Sequence, residues 1–240
     1  MSAVVRTQDL TMHFGGVVAL DNVNFTLSEN ELRCLIGPNG AGKSTFFKCL
    51  SGQHRLGSAN GRVLIRENDV TGWRTHRIVR LGVGVKTQVP SVMNALNVTE
   101  NLWLAARRVH GASASDDVVD ETIASLRLSD VARRIVGELS HGRRQMVEIG
   151  IVLAQRPWLV LLDEPAAGMT GDEVERLVDV VRRIAESASV IVVDHDMEFV
   201  RLLGSRVTVF HQGSILVEGT ADAVLDDARV REVYLGDRAR

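Results

Sequence analysis

The stretch that decides the fold is Gly37-Pro38-Asn39-Gly40-Ala41-Gly42-Lys43-Ser44-Thr45, which fits the pattern G-x-x-x-x-G-K-[ST]. The residues before it, Leu-Arg-Cys-Leu-Ile at 32–36, are typical of a buried strand, and residues 43–50 are typical of a helix. A glycine-rich turn between a strand and a helix predicts a phosphate-binding loop, because the backbone N–H groups can curl inward and the helix dipole points its positive end at the phosphate. In such a loop Lys43 reaches the β- and γ-phosphates and the Ser44 hydroxyl ligates Mg²⁺.

Two acidic residues end a second apolar strand. Residues 159–162 are Leu-Val-Leu-Leu, and Asp163 and Glu164 follow them. Asp163 is predicted to hold Mg²⁺ through water, and Glu164 to polarise an attacking water. Two acids after a strand are weak evidence alone, since the first turns of helices often carry acids. Together with the phosphate-binding loop they predict a site that hydrolyses a nucleotide.

The segment LSHGRRQ at 139–145 distinguishes this chain from a simple P-loop kinase, which does not need it. Ser140 is predicted to open a helix, and Gly142 leaves the backbone beside it uncovered, which together favour a second anion-binding site. The alternative is a plain N-cap, but a cap requires no glycine two residues later.

The remaining pattern alternates between strands and helices, which predicts a mainly parallel sheet covered on both faces. The middle of the chain, about 90–155, is helical and is predicted to be an inserted lobe. There Asn97 and Glu100 predict a capping box, 111–115 a loop of small residues, and 118–128 a helix. Further strands are predicted at 23–27, 62–65, 82–87, 190–194, 207–211 and 214–217, and further helices at 172–186 and from 197.

The bulk composition is that of a folded protein. The 240 residues are 45% hydrophobic and 24% charged, which excludes disorder as the default, and a formal net charge of −2 gives no basic field for nucleic acid. Cys34 and Cys49 lie in apolar runs and are predicted to be core residues in a reducing compartment. No apolar run approaches the roughly 20 residues of a membrane span, and none follows Met1, so neither a span nor a signal peptide is expected.

Taken together, these motifs resemble the nucleotide-binding subunits of ABC transporters over almost the whole chain. They come in the family's order: the P-loop at 37–45, the Q-loop at Gln88, the signature at 139–143, Walker B at 160–164 and the switch histidine at His195. The resemblance implies an α/β P-loop NTPase of the ABC ATPase type, with a RecA-like core, an antiparallel β subdomain and an inserted helical subdomain. It implies a single domain over 1–240, in which 1–90 and 156–240 form the core with the β subdomain and about 91–155 forms the helical signature lobe.

The resemblance also implies roles for residues outside the two Walker motifs. Gln88 would sense Mg²⁺ and the lytic water and link to the membrane subunit. Ser140 and Gly142 would contact the γ-phosphate bound to the opposite subunit, His195 the γ-phosphate of its own, and Phe14 would stack on adenine. The expected nucleotide-binding residues are Phe14, Gly37, Pro38, Asn39, Gly40, Ala41, Gly42, Lys43, Ser44, Thr45, Ser140 and Gly142. The expected catalytic residues are Glu164, His195, Gln88 and Lys43, and those for Mg²⁺ are Ser44, Gln88 and Asp163.

His195 and Phe14 each have a plainer reading. Taken singly, His195 could be an ordinary half-buried histidine and Phe14 an ordinary core residue. His195 follows the strand at 190–193 directly, at the edge of the sheet where such folds bind ligands, and this favours the functional reading.

The sequence departs from the common family pattern at three places. His141 and Arg143 stand where Gly and Gln are usual, 166–170 reads AAGMT without the usual Leu-Asp ending, and Thr87 stands where Phe is frequent. The first two resemble the subgroup that serves branched-chain amino acids, urea and short amides. The segments LSHGRRQMVEIG, AAGMT, HRIVRLGVG, DHDMEFVR and VYLG are most similar to its urea-type members.

This resemblance implies two ATPase subunits, identical or different, that enclose two ATP molecules with Mg²⁺ at the cytoplasmic face of a membrane. The subunit would be peripheral, would pull on integral permeases, and would meet a periplasmic or extracellular binding protein only indirectly. The alternative is a non-transport ABC ATPase of translation or DNA repair, but such proteins usually carry two cassettes or long coiled coils. A P-loop kinase would lack the signature and His195. Co-purification with membrane proteins would indicate a transporter subunit, whereas co-purification with ribosomes or DNA would indicate a non-transport ABC ATPase.

Overall fold

The computed structural model describes residues 2–57, 60–89 and 91–236, and within them the chain forms two sheets flanked by helices. The strands are β1 Ala3–Phe14, β2 Val17–Ser28, β3 Leu32–Ile36, β4 Arg62–Ile65, β5 Asn68–Asp69, β6 Val83–Lys86, β7 Leu159–Asp163, β8 Ser189–Val193, β9 Arg206–His211 and β10 Ser214–Thr220. The helices are α1 Lys43–Leu50, α2 Thr75–Val79, α3 Val98–Ala106, α4 Ala112–Ser125, α5 His141–Leu153, α6 Gly171–Ala185, α7 Met197–Leu203, α8 Ala221–Asp226 and α9 Ala228–Gly236.

The larger sheet has the strand order β10-β9-β3-β8-β7-β6. Its strands are parallel except for β10, which is antiparallel to β9. In β7, Val160 and Leu162 pack in one hydrophobic cluster, and Leu159 and Leu161 pack in another. Since successive strand residues point to opposite faces, both faces of this sheet are covered, which explains the uninterrupted apolar run. The predicted parallel sheet is confirmed.

The smaller sheet is antiparallel, with the order β2-β1-β4-β5. Its inner side chains share one core with α1 and one face of the larger sheet. Phe25 of β2 meets Phe46 of α1 edge to face, with ring centroids 5.3 Å apart. This sheet is the antiparallel β part that the sequence resemblance implied. Helix α1 packs between it and the parallel sheet.

The other face of the larger sheet carries α3, α4 and α5 together with α6 and α7. The capping box at the start of α3 is confirmed: the backbone N–H of Glu100 donates to Asn97 Oδ1 at 2.9 Å, and that of Asn97 donates to Glu100 Oε2 at 2.8 Å. The division into a core at 1–90 and 156–240 and a lobe at about 91–155 stays a prediction. Among the described helices, none has the length and apolar character needed to cross a bilayer.

The loop predicted at 111–115 is wrong. Helix α4 begins at Ala112, directly after Gly111, and ends at Ser125 rather than at Leu128. Ser115 is buried, and its hydroxyl donates to the Gly111 carbonyl at 2.8 Å, so the first turn is fixed by a local hydrogen bond. The row of small residues suggested a loop. It forms a helix because alanine favours helices and the Ser115 hydroxyl bonds to the backbone four residues earlier.

Candidate nucleotide-binding site

The loop between β3 and α1 requires glycine at two positions. Gly37 has φ +145°, and a methyl group there would collide with the Phe210 carbonyl oxygen. Gly42 has φ +106°, and its methyl group would lie 2.7 Å from the Ala19 carbonyl oxygen. Gly42 is also the N-cap of α1, and no side chain among the described residues caps that helix. The first backbone N–H groups of α1 therefore stay available for an anion.

Lys43 lies inside this loop and is buried. Its Nζ donates to the carbonyl oxygens of Gly37 at 2.6 Å and Pro38 at 2.9 Å. Burial lowers the pKa of Lys43, while the nearby carboxylates of Glu164 and Asp163 act in the opposite direction. An ammonium group has three donors, so two bonds to the loop leave one for a ligand oxygen.

Asp163 ends β7 and is buried, and its Oδ1 has no hydrogen-bond partner among the described residues. Burial raises the pKa of Asp163 to about 6, with the charge of Glu164 acting in the same direction and those of Lys86 and Lys48 against it. An orphaned carboxylate oxygen beside a phosphate loop suits a hydrated Mg²⁺, which needs only one or two carboxylates besides phosphate and water. The residues present therefore fit this ion.

The buried charge of Asp163 leads to a stability prediction for the protein without metal and nucleotide. We expect Asp163→Asn to raise the free energy of unfolding by about 1–3 kcal/mol near pH 7.5, because the wild type holds a desolvated carboxylate there. An acid whose pKa is raised in the folded state loses stability as pH rises from its ordinary pKa toward the raised one. The gain should therefore vanish as the pH falls below the ordinary pKa, near pH 3, where the carboxyl is largely protonated in both states. Urea unfolding in EDTA at the two pH values measures it.

The matched control for this prediction is Asp117→Asn, since Asp117 is exposed on α4. This variant should change the free energy of unfolding little at either pH. A variant Asp163→Asn that is less stable than the wild type near pH 7.5 would contradict the prediction.

Glu164 and His195 follow the ends of the adjacent strands β7 and β8, and their side chains lie close together at that edge of the sheet. Glu164 has φ +45°, a conformation that is rare outside glycine, and its N–H donates to the Val193 carbonyl oxygen at 2.8 Å. His195 Nδ1 lies 3.6 Å from Glu164 Oε1, and both side chains are accessible, with exposed fractions of 60% and 31%. Backbone strain concentrates at functional sites. The pair can therefore receive a water molecule and a phosphate from outside.

Asp194 organises this edge of the sheet, although we assigned it no role from the sequence. It is buried, and its Oδ1 accepts from the backbone N–H of His195 at 2.8 Å and of Asp196 at 3.0 Å. Its Oδ2 accepts from the N–H of Ala166 at 3.4 Å. Asp194 thus joins the turn after β8 to the turn after β7. A charged residue directly after an apolar strand was the sequence signal that could have identified it.

Gln88 lies two residues beyond the end of β6 and is exposed. Lys86 pairs in register with Leu162, so Gln88 leaves the sheet at the same edge as Asp163. Lys86 also forms a buried ion pair with Glu148 of α5, with 3.6 Å between Nζ and Oε2. Burial lowers the pKa of Lys86 and raises that of Glu148. The strand before Gln88 is therefore tied to the signature helix by a pair that the sequence analysis missed.

The signature residues lie at the start of α5. Ser140 is the N-cap of α5, and its Oγ accepts from the backbone N–H of Arg143 at 3.4 Å. A methyl group at Gly142 would collide with the carboxylate of Glu173 on α6. Within the described residues, no hydrogen bond or ion pair joins 139–145 to the loop at 37–45.

Phe14 ends β1, and 45% of its surface is exposed, which excludes the plainer reading as a core residue. Its ring meets His54 edge to face, with centroids 5.1 Å apart. An exposed aromatic face is suited to stack on a base, and the contact with adenine stays a prediction.

Three features together are typical of a P-loop ATPase of the ABC type: a phosphate-binding loop before α1, two acidic residues at the end of the parallel strand β7, and a serine–glycine turn at the start of α5. A family model described as ABC transporter matches residues 20–167, and one described as branched-chain amino acid ATP-binding cassette transporter matches 214–240. The chain therefore belongs to the ABC transporter family of ATP-binding subunits, and it is an ATPase.

Relatives cover nearly the full chain. The high-affinity branched-chain amino acid transport ATP-binding protein LivG of Escherichia coli K12 is 30% identical over 252 residues, with 98% of each chain covered. The corresponding protein BraF of Pseudomonas aeruginosa is 28% identical, with the same coverage. The lipopolysaccharide export system protein LptB of Acidithiobacillus ferridurans is 31% identical, with 99% of each covered. A crystal structure of an ABC transporter ATP-binding cassette in its ADP conformation superposes with a TM-score of 0.85 at 26% identity, covering 98% of this chain and 100% of the other.

Proposed function

We propose that this chain energises an ABC importer for branched-chain amino acids, urea or short amides, and that each ATP lies between the Walker motifs of one subunit and the signature of another. The observation that carries the proposal is the placement of the site residues. Lys43, Asp163 and Glu164 converge at one edge of the sheet, whereas Ser140 and Gly142 lie at the start of α5 and, among the described residues, form no hydrogen bond with the loop at 37–45. One chain therefore presents two complementary halves, and a head-to-tail pair would complete both sites.

In the proposed site the phosphates of ATP would lie in the loop at 37–45, where Lys43 has a donor left for them. Ser44, Gln88 and Asp163 would hold Mg²⁺, which when bound neutralises charge on the β- and γ-phosphates. Glu164 would accept the proton of the attacking water, and His195 beside it would contact the γ-phosphate.

The substrate class is supported by the relatives and by the signature. LivG and BraF are named for branched-chain amino acid transport, and the match over 214–240 points the same way, although residues 237–240 lie outside the described part. Identity over the whole chain does not discriminate, since LptB of an export system is as similar. His141 and the segment at 166–170 therefore carry the subgroup proposal, including its urea-type variant.

The proposed partners are a second ATPase chain, identical or different, integral permeases and, indirectly, a substrate-binding protein outside the cell. The subunit would lie peripherally on the cytoplasmic face. The formal charge of −2 offers no basic field for nucleic acid. Affinity purification from detergent extracts should recover permease subunits. Recovery of ribosomes or DNA instead would support the non-transport alternative.

Deleting the gene should impair growth when urea, a short amide or a branched-chain amino acid at low concentration is the sole nitrogen source, and should leave growth on ammonium unchanged. Isothermal titration of the purified subunit with urea or leucine should show no binding, because substrate specificity belongs to the binding protein and the permeases. A deletion that impairs only efflux of a toxic compound, or only uptake of a sugar or metal, would contradict the substrate class and leave the ATPase assignment intact.

A further inference from the structure

Two of the three departures from the common family pattern contact each other. His141 is the first residue of α5, and its Nε2 lies 2.9 Å from the carbonyl oxygen of Ala167. A carbonyl only accepts, so Nε2 carries the hydrogen and donates. The ring also covers Gly168, where an added methyl group would lie 3.1 Å from His141 Cδ2. The histidine that replaces a signature glycine thus binds the segment that lacks the usual Leu-Asp ending.

That segment is continuous with the proposed general base. The N–H of Ala167 donates to the Glu164 carbonyl oxygen at 3.4 Å, and Ala166 donates to Asp194. A second contact joins the same elements through Glu173. Its Oε2 accepts from the backbone N–H of Thr170 at 3.0 Å, and its carboxylate lies against Gly142. The start of α5 and the backbone after Glu164 are therefore held together at two points.

We propose that His141 is a positioning residue that couples the two ATP sites of the dimer. In the head-to-tail arrangement, the Ser140 turn of one chain meets the ATP of its partner, whereas Glu164 of the same chain acts on its own ATP. The hydrogen bond from His141 to Ala167 makes these two elements move as a unit, so closure around one ATP repositions the base at the other. The inference rests on the proposed function.

The test is steady-state ATP hydrolysis by the full chain as a function of ATP concentration. His141→Ala should lower kcat roughly three- to tenfold, as expected for one lost hydrogen bond, and bring the Hill coefficient toward 1. Its affinity for ATP, measured on the monomer, should stay unchanged. His141→Gln should restore both kcat and the Hill coefficient, because the glutamine side-chain NH₂ can reach the position of Nε2 and donate to the Ala167 carbonyl oxygen. His76→Ala, which removes an exposed histidine on α2, is the matched control and should behave as wild type.

A double-mutant cycle reports whether the ring contacts Gly168 in the working enzyme. Gly168→Ala introduces the close contact and a strained φ of +72°, whereas in the His141→Gly background only the strain remains. The loss of kcat on Gly168→Ala should therefore be several-fold smaller in that background.

Three results would overturn the inference: an unchanged Hill coefficient in His141→Ala, no rescue by His141→Gln, or additive losses in the cycle. They differ from failure of the proposed function, in which the wild type itself would form no ATP-dependent dimer. Thermal melts identify a variant that fails to fold, in which case His141→Gln and the cycle decide.

Discussion

Glu164→Gln should bind ATP with near-normal affinity and hydrolyse it about 10²–10⁴-fold more slowly than the wild type. The amide has the shape of the carboxylate but cannot accept a proton from water. The unusual backbone of Glu164 is held by its own N–H bond to Val193, which the substitution leaves in place. Phosphate release gives the rate, and equilibrium binding of a fluorescent ATP analogue gives the affinity.

The slow variant should also accumulate as an ATP-bound dimer on gel filtration, because closure proceeds and the step that reopens the dimer does not. Glu175→Gln, on the exposed side of α6, is the matched control and should retain full turnover. Turnover close to wild type in Glu164→Gln would remove this residue from the role of general base.

The elements around the nucleotide site could be predicted from the sequence because their signals are local. Strand β3 and helix α1 have the predicted bounds, and β7 and β8 differ from theirs by at most one residue at either end. Mostly apolar runs bounded by glycine or acidic residues leave little ambiguity for buried parallel strands. The N-cap at Ser140 was equally local.

The smaller sheet was harder to predict. Strand β1 was missed, although it spans twelve residues, because its pairing with β2 shifts register several times and Asp9 takes φ +49°. Each shift moves the inward-facing set by one residue and destroys the alternation that predicts a strand. Strand β2 was predicted only from Val23, since its first residues, such as Val17, are exposed.

The tertiary pairs around the site had no sequence signal of their own. Lys86 and Glu148 meet only because α5 packs against the edge strand β6, and a buried ion pair cannot be read from one sequence without knowing that packing. The contact between His141 and Ala167 depends likewise on how α5 and α6 begin side by side. The sequence therefore predicted the chemistry of each motif, whereas only the folded structure shows which motifs contact each other.

The signature site should act on the ATP of the other subunit, and mixed dimers test this directly. Ser140→Arg places a bulky cation at the start of α5 and should reduce ATP hydrolysis by about 10²-fold or more, while ATP binding at the P-loop of the same chain is kept. Lys43→Ala should impair the P-loop itself.

We expect a dimer of one Ser140→Arg chain and one Lys43→Ala chain to retain activity, because the defects meet in one composite site and the other site stays whole. A dimer that carries both substitutions on one chain beside a wild-type chain should be inactive, since each composite site then contains one defect. Tandem purification with two different tags isolates each dimer for phosphate-release assays. If the signature acted within its own chain, the order would reverse, because the second dimer would keep one whole site and the first none. Equal activity in the two dimers would also contradict the assignment across the interface, whereas the predicted order would place Ser140 at the ATP held by Lys43 of the opposite chain.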